Sequence, residues 1–176
     1  MTKQGLYAVG FCAHYSRQGD WAFECALKFA QNNNLQLNVF HFLENPYDPS
    51  DDTGGNLSVE ERAKISIERE RELRLYYDKL AGDYLNVGFR FCEDNEWTEL
   101  HRCLVIREFQ VLVLAHISPG CVFAGKPIEE FAHAFVCPVV LVGPDESDQI
   151  HLNSRAAMIT HELGLSDRAW EQIAHT

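Results

Sequence analysis

Apolar residues along the chain fall into two alternating rhythms, short unbroken runs and stretches spaced at three and four residues. GLYAVGF, from Gly5, is a short apolar run ending near Gly10, and Asp20 to Asn32 follows with Trp21, Cys25, Leu27 and Phe29 at helical spacing. LQLNVFHFL, from Leu35 to Leu43, is rich in strand formers, and NPYDPSDDTGG after it reads as a loop by its Pro, Asp and Gly content. SVEE at Ser58 fits a capping box closed by Glu61, predicting a long helix to about Asp83. Val87, Phe89 and Phe91 alternate as in a half-buried strand. TELHRCLVIREF is helical in period, VLVLA from Val111 is a strand, and a helix after Pro127 leads into the strand CPVVLVG.

Five short strands separated by helices, the later ones apolar on both faces, predict an α/β fold: a doubly wound five-stranded parallel sheet with helices on both faces. After Pro144 the rhythm changes. ESDQIHLNSR is polar, and two short helical stretches follow, about Ser154 to Leu163 and Ser166 to Ala174, with Gly164 suited to a helix end. The expected organisation is one α/β domain over residues 1–145 and a helical extension over 146–176. In such a sheet ligands bind beyond the carboxyl ends of the strands, where strand order reverses. The loops to read are therefore GFCAHYSRQGD, HFLENP, FCEDNE and AHISPGCVFAGK.

Composition narrows the chemistry. The 176 residues suit one domain with a sizeable core. The formal charge of −11 repels a phosphate backbone, so nucleic acid is not an expected partner. RERELR, from Arg69 to Arg74, interleaves its signs as a solvated helix face does. The apolar runs are too short to cross a bilayer and the start of the chain shows no secretory signal, so no membrane partner is expected and the cytoplasm is the expected compartment. Six cysteines without a CxxC pair point to reduced thiols.

From about Leu6 to Pro144 the chain resembles the universal stress proteins. LNVFHFLENP is similar to that family's second strand, QVLVLAHISPG to its fourth, and GKPIEEFAHAFVCPVVLVG to the helix and closing strand, where CPV is common. The resemblance implies a stress-response or regulatory role, with ATP or another adenine nucleotide as the family's ligand and at most weak ATP hydrolysis. It also implies candidate nucleotide-binding positions at Gly10, Phe11, Phe42, Ala115, Ser118, Gly120, Gly125 and Lys126. Two features of the family's motif are altered. Gly10 stands where an aspartate contacts adenine. Ala115 holds the place of the first loop glycine, Ser118 the second and Gly125 the third, with Lys126 in place of a hydroxyl residue and a shorter loop between. Weak, altered or absent nucleotide binding all follow from these changes.

The physical reading of that loop has two branches. Glycines let amides approach phosphate oxygens, a helix start adds unpaired donors, and Lys126 adds charge, so the segment suits an anion. The other branch is a capped helix with Lys126 turned to water. Cys12, His14, His41, Cys92, His116 and Cys121 all fall near predicted strand ends, and thiolate with imidazole suits zinc, so Cys12, His14, Cys92, His116 and Cys121 are the metal candidates, although they lack metal-ligand spacing and a metal is the less expected cofactor. Redox sensing through Cys12, Cys92 or Cys121 would need an exposed thiol of lowered pKa. Packing accounts for Cys25, Cys103 and Cys137.

GxSxG, HExxH and a complete GxxxxGK[ST] loop are all missing, and no catalytic residue is assigned. Asp94 or Asn95 suits a helix cap, and Trp21, Trp97 and Trp170 suit buried or interface positions. By resemblance, a homodimer is expected through the last strand, Cys137 to Val142, together with the tail. There Ile159, Leu163, Leu165, Trp170 and Ile173 are available to cover that edge or to pack on the partner. A third reading is a dimeric interaction module with no ligand and an unidentified protein partner.

Overall fold

Ser16 is extended and accepts the Gly19 amide through its hydroxyl, which starts the first helix one turn before the apolar spacing predicts. The computed structural model describes residues 6–93 and 96–173. In chain order the elements are β1 (Ala8–Cys12), α1 (Arg17–Asn33), β2 (Gln36–Phe42), α2 (Val59–Ala81), β3 (Val87–Cys92), α3 (Trp97–Val105), β4 (Val111–Ala115), β5 (Val122–Phe123), β6 (Lys126–Pro127), α4 (Ile128–Ala134), β7 (Val139–Val142), β8 (Ile150–Leu152), α5 (Ser154–Ala157) and β9 (Glu171–Gln172). The capping box is present: Ser58 Oγ accepts the Glu61 amide at 3.1 Å and Glu61 accepts the Ser58 amide at 3.1 Å. The proposed caps at Asp94 and Asn95 lie outside the described residues.

The five predicted strands form the parallel sheet β3-β2-β1-β4-β7, but the full sheet has seven strands. The tail supplies the other two. Val140, Leu141 and Val142 of β7 pair antiparallel with Leu152, His151 and Ile150 of β8, and β9 pairs with β8. The segment read as a polar lead-in supplies β8, which covers the open edge of β7; of the expected tail helices the first reduces to the single turn α5, and Glu171 and Gln172 within the second pair with β8 as β9. A second copy pairing on β7 would have to displace β8.

Each face of the sheet carries its own core. On one, Phe11, Val39, Val113 and Val142 meet Phe23 and Ala26 of α1, Leu73 and Tyr77 of α2, and Leu163 and Leu165 of the tail. On the other, Phe40, Leu112 and Leu141 meet Leu100 and Cys103 of α3 and Phe131 of α4. Helices on both faces make the sheet doubly wound. Arg69 departs from the solvated face predicted for RERELR: its guanidinium donates to the carbonyls of Phe42 and Leu43, both at 2.6 Å, and so closes the carboxyl end of β2. Trp97 is exposed, at 41%.

Candidate functional site

β1 pairs with β2 on one side and with β4 on the other, so the strand order reverses between β1 and β4, and the crevice lies beyond Cys12 and Ala115. The loop after β2 lies across its β4 side. Asn45, Asp48 and Asp51 fix that loop through their side chains, accepting the amides of Tyr47 at 2.8 Å, Ser50 at 3.0 Å and Thr53 at 3.0 Å respectively. Tyr47 is thereby carried across the crevice. Its hydroxyl donates to the Ala115 carbonyl at 2.9 Å, and its ring meets His14 and Phe123 edge-on at centroid distances of 4.5 and 5.0 Å. The Ala124 amide donates to the Pro46 carbonyl at 2.9 Å, tying the β2 loop to the β4 loop. Burial pushes the Tyr47 phenol well above its usual pKa, so it remains a neutral donor.

The β4 loop is occupied in the same manner. The Gly120 amide donates to both oxygens of Glu129, at 2.9 and 3.1 Å, and His116 Nε2 lies 2.8 Å from Glu129 Oε2. Burial pulls the Glu129 carboxyl upward, but hydrogen bonds from Gly120, from its own backbone and from His116 outweigh this and leave it below the usual carboxylate range. The loop amide suited to a phosphate oxygen therefore already holds the chain's own carboxylate.

Gly125 and Lys126 do not head the helix. Ala124 and Gly125 have φ of 52° and 83°, the signature of a tight two-residue turn that favours glycine, and they join β5 to β6 with Phe123 opposite Lys126. Lys126 lies with Trp97, Phe131 and Phe135 around a depression of about 160 Å³ on the α3–α4 face, away from the crevice. The lysine belongs to a hairpin that leads directly into α4 through Pro127. The helix that follows, α4, has seven residues and carries Glu129 and Glu130 in its first turn, which discourages a second anion.

The other candidates are dispersed. Gly10 is the middle residue of β1, where an added Cβ would lie 3.0 Å from atoms of the Phe109 and Phe40 rings, so ring packing and not a ligand explains the glycine. Phe11 is fully buried, edge-on to Phe23 and Tyr77 at 5.5 Å each. Gly10 and Phe11 precede Cys12, the residue at which β1 ends. Ala115 ends β4 as the acceptor of Tyr47, Ser118 is exposed, and Phe42 ends β2. Phe42 borders a depression of about 340 Å³ with His14, His41, Arg69, Glu72 and Leu73, which is the part of the crevice that stays open.

The metal candidates Cys12, His14, Cys92, His116 and Cys121 do not form a common cluster among the described residues. His14 Nδ1 is 2.8 Å from Ser16 Oγ, and His116 is held by Glu129. Cys92 instead meets Cys103 and Glu99, whose ligand atoms lie within 4.8 Å of one another. As for redox chemistry, burial pushes Cys12 well up, and the Cys103 hydrogen bond and burial do the same for Cys92, opposite to the shift an activated thiol needs. Sequence reasoning missed Tyr47, Glu129 and Cys103; the NPY turn and the glutamate two residues after Pro127 were the available signals for the first two.

A parallel sheet in the order 3-2-1-4 plus a fifth parallel strand, with the β4 loop folded over its switch point, defines a doubly wound α/β domain of the universal stress protein fold. The structure of UspA from Lactobacillus plantarum matches with a TM-score of 0.50 at 14% identity, covering 80% of this chain and 100% of that one. A universal stress protein in complex with cAMP matches at 0.53 and 17% identity, covering 81% and 100%, and one from Archaeoglobus fulgidus at 0.51 and 13%, covering 77% and 97%. No family model matches the sequence, and no curated protein matches it. No helix among the described residues is long and apolar enough to cross a membrane.

Proposed function

We propose that this chain is a stress-response regulatory protein on the universal stress protein fold whose nucleotide crevice is blocked at the strand-order switch and the β4 loop by its own side chains, so that it acts through protein contacts instead of a bound nucleotide. The observation that carries this reading is the Tyr47 hydroxyl on the Ala115 carbonyl at 2.9 Å, at the point where strand order reverses. The Glu129 carboxylate on the Gly120 amide supports it, because a phosphate entering there would have to displace a charge already hydrogen-bonded. A solved protein of this fold is described in complex with cAMP; in this chain the Gly120 amide is taken by Glu129. Cytoplasmic residence is part of the proposal and agrees with six free thiols.

Self-association belongs to the same proposal. Since β8 occupies the edge of β7, the contact between copies would run through the tail, where β9 is the outermost strand. Native mass spectrometry of freshly purified protein tests both parts. The expected spectrum shows a dimer with no added mass of an adenine nucleotide, and Tyr47→Ala does not change the dimer. A stoichiometric nucleotide on the wild-type protein would overturn the closed-crevice reading, and a monomer at micromolar concentration would overturn the dimer.

A further inference from the structure

Beneath α3, on the sheet face opposite α1 and α2, two thiols and a carboxylate converge. Cys92 is the last residue of β3, and Glu99 and Cys103 stand four residues apart in α3, hence on one face of that helix. The two sulfurs and a carboxylate oxygen all lie within 4.8 Å of one another. Cys92 and Cys103 are 0% and 1% exposed, while the Glu99 side chain keeps 17% exposure and marks the route in from solvent. No other group of three such ligands this close occurs among the described residues.

We propose that Cys92, Glu99 and Cys103 form a binding site for a single thiophilic divalent cation, zinc being the chemically best-matched ion. Zinc takes thiolate sulfur at about 2.3 Å and carboxylate oxygen at about 2.0–2.2 Å, which sets tetrahedral ligands roughly 3.3–3.8 Å apart. The observed cluster needs only small rotamer adjustments to reach that spacing. Three protein ligands leave the fourth position to water or to a further ligand.

Charge and outer contacts agree with a cation. The Arg102 guanidinium grips Glu99 through Nη2–Oε1 at 2.8 Å and Nε–Oε2 at 3.1 Å, and Nη2 lies 3.9 Å from Cys103 Sγ. Each carboxylate oxygen has a second lone pair, so Glu99 can ligate while Arg102 orients it, as outer-shell partners do in metal sites. Two thiolates, one carboxylate, one guanidinium and a divalent cation sum to zero, a balance that a largely buried site requires. Binding is a proton exchange: each ligating thiol gives its proton to the solvent and its sulfur lone pair to the metal, with no change of oxidation state. The site is independent of the crevice, so it stands whether or not that crevice admits a nucleotide.

The test uses the full chain, stripped by a chelator under reducing conditions and titrated with zinc against a chromogenic competitor, with cobalt(II) as a spectroscopic substitute. One zinc per chain is expected, and the cobalt form should show thiolate-to-metal charge transfer with tetrahedral d–d bands. Cys92→Ser and Cys103→Ser should each weaken zinc at least about a hundredfold and remove roughly half of the charge-transfer intensity; Glu99→Gln should weaken it about tenfold. If the serine variants fail to fold, the wild-type cobalt spectrum and Glu99→Gln, at the partly exposed rim, still decide. Absence of zinc binding, zinc binding that ignores all three substitutions, or a Cys92–Cys103 disulfide formed in place of a metal complex would each overturn the proposal.

Discussion

Asn153→Ala is expected to lower the free energy of unfolding by roughly 3–6 kcal/mol, because one 1%-exposed side chain satisfies four buried backbone groups. Its Oδ1 accepts from Val139 N at 3.0 Å and Ala156 N at 2.9 Å; its Nδ2 donates to the carbonyls of Ala132 and Cys137, both at 2.9 Å. These four partners are the end of α4, the lead-in to β7 and the first turn of α5, so the amide fastens the tail to the parallel sheet. Alanine leaves two donors and two acceptors buried without partners, each costing about 1–3 kcal/mol and not fully additive. Against a typical total of about 5–15 kcal/mol, such a loss approaches unfolding. Asn153→Asp should also destabilise, since it keeps both accepted bonds but turns a carboxylate oxygen toward two carbonyls. Urea denaturation measures both; a loss below about 1 kcal/mol for alanine would show that the tail is not fastened there.

The second large effect is set by pH through His41. It is 5% exposed, neither ring nitrogen has a hydrogen-bond partner, and its ring packs against Phe91 at 5.2 Å. Burial lowers its pKa from 6.5 to about 4; Glu70 pulls it up and Arg69 pushes it further down, and burial prevails. The folded chain thus binds this proton less readily than the unfolded chain, so the contribution is complete above pH 6.5 and is lost as pH falls toward 4. The loss amounts to about 3 kcal/mol. His14, whose pKa burial also lowers, adds in the same direction, and Glu129, lowered from 4.5, adds to the loss at the acid end of that window, whereas Asp51, lowered from 3.8, acts mainly below it. Urea unfolding of wild type and His41→Leu between pH 7 and 4 separates the terms. The variant should lose clearly less stability than the wild type, and parallel curves would remove His41 from the account.

What the sequence made legible is the part governed by local periodicity. The strands VLVLA and VVLV and the capped helix from Ser58 follow from apolar spacing and cap chemistry, and the structure has them. The tail was not legible, because Ile150 and Leu152 are too short an apolar alternation to stand out in a polar segment until the bare edge of β7 is known. The hairpin at Gly125 was hidden for a related reason. A glycine followed by lysine and proline suits a helix start, and only the pairing of Phe123 with Lys126 makes it a turn. At the crevice, Tyr47 reaches Ala115 across 68 positions of sequence, and no spacing rule reports a contact at that range. Glu129 lies only nine residues from Gly120, yet its role depends on the loop folding back over β4. Cys92 and Cys103 look like isolated small apolar residues in sequence, and only the packing of α3 against the sheet brings them together.

On the proposed reading, Tyr47 and Glu129 take the hydrogen-bonding groups at the switch point that a nucleotide would need. Isothermal titration of the wild-type protein with ATP, and separately with cAMP, tests it most directly. The account predicts no saturable heat with either ligand at concentrations up to about 1 mM, while saturable one-to-one binding with a dissociation constant below about 100 µM would contradict it.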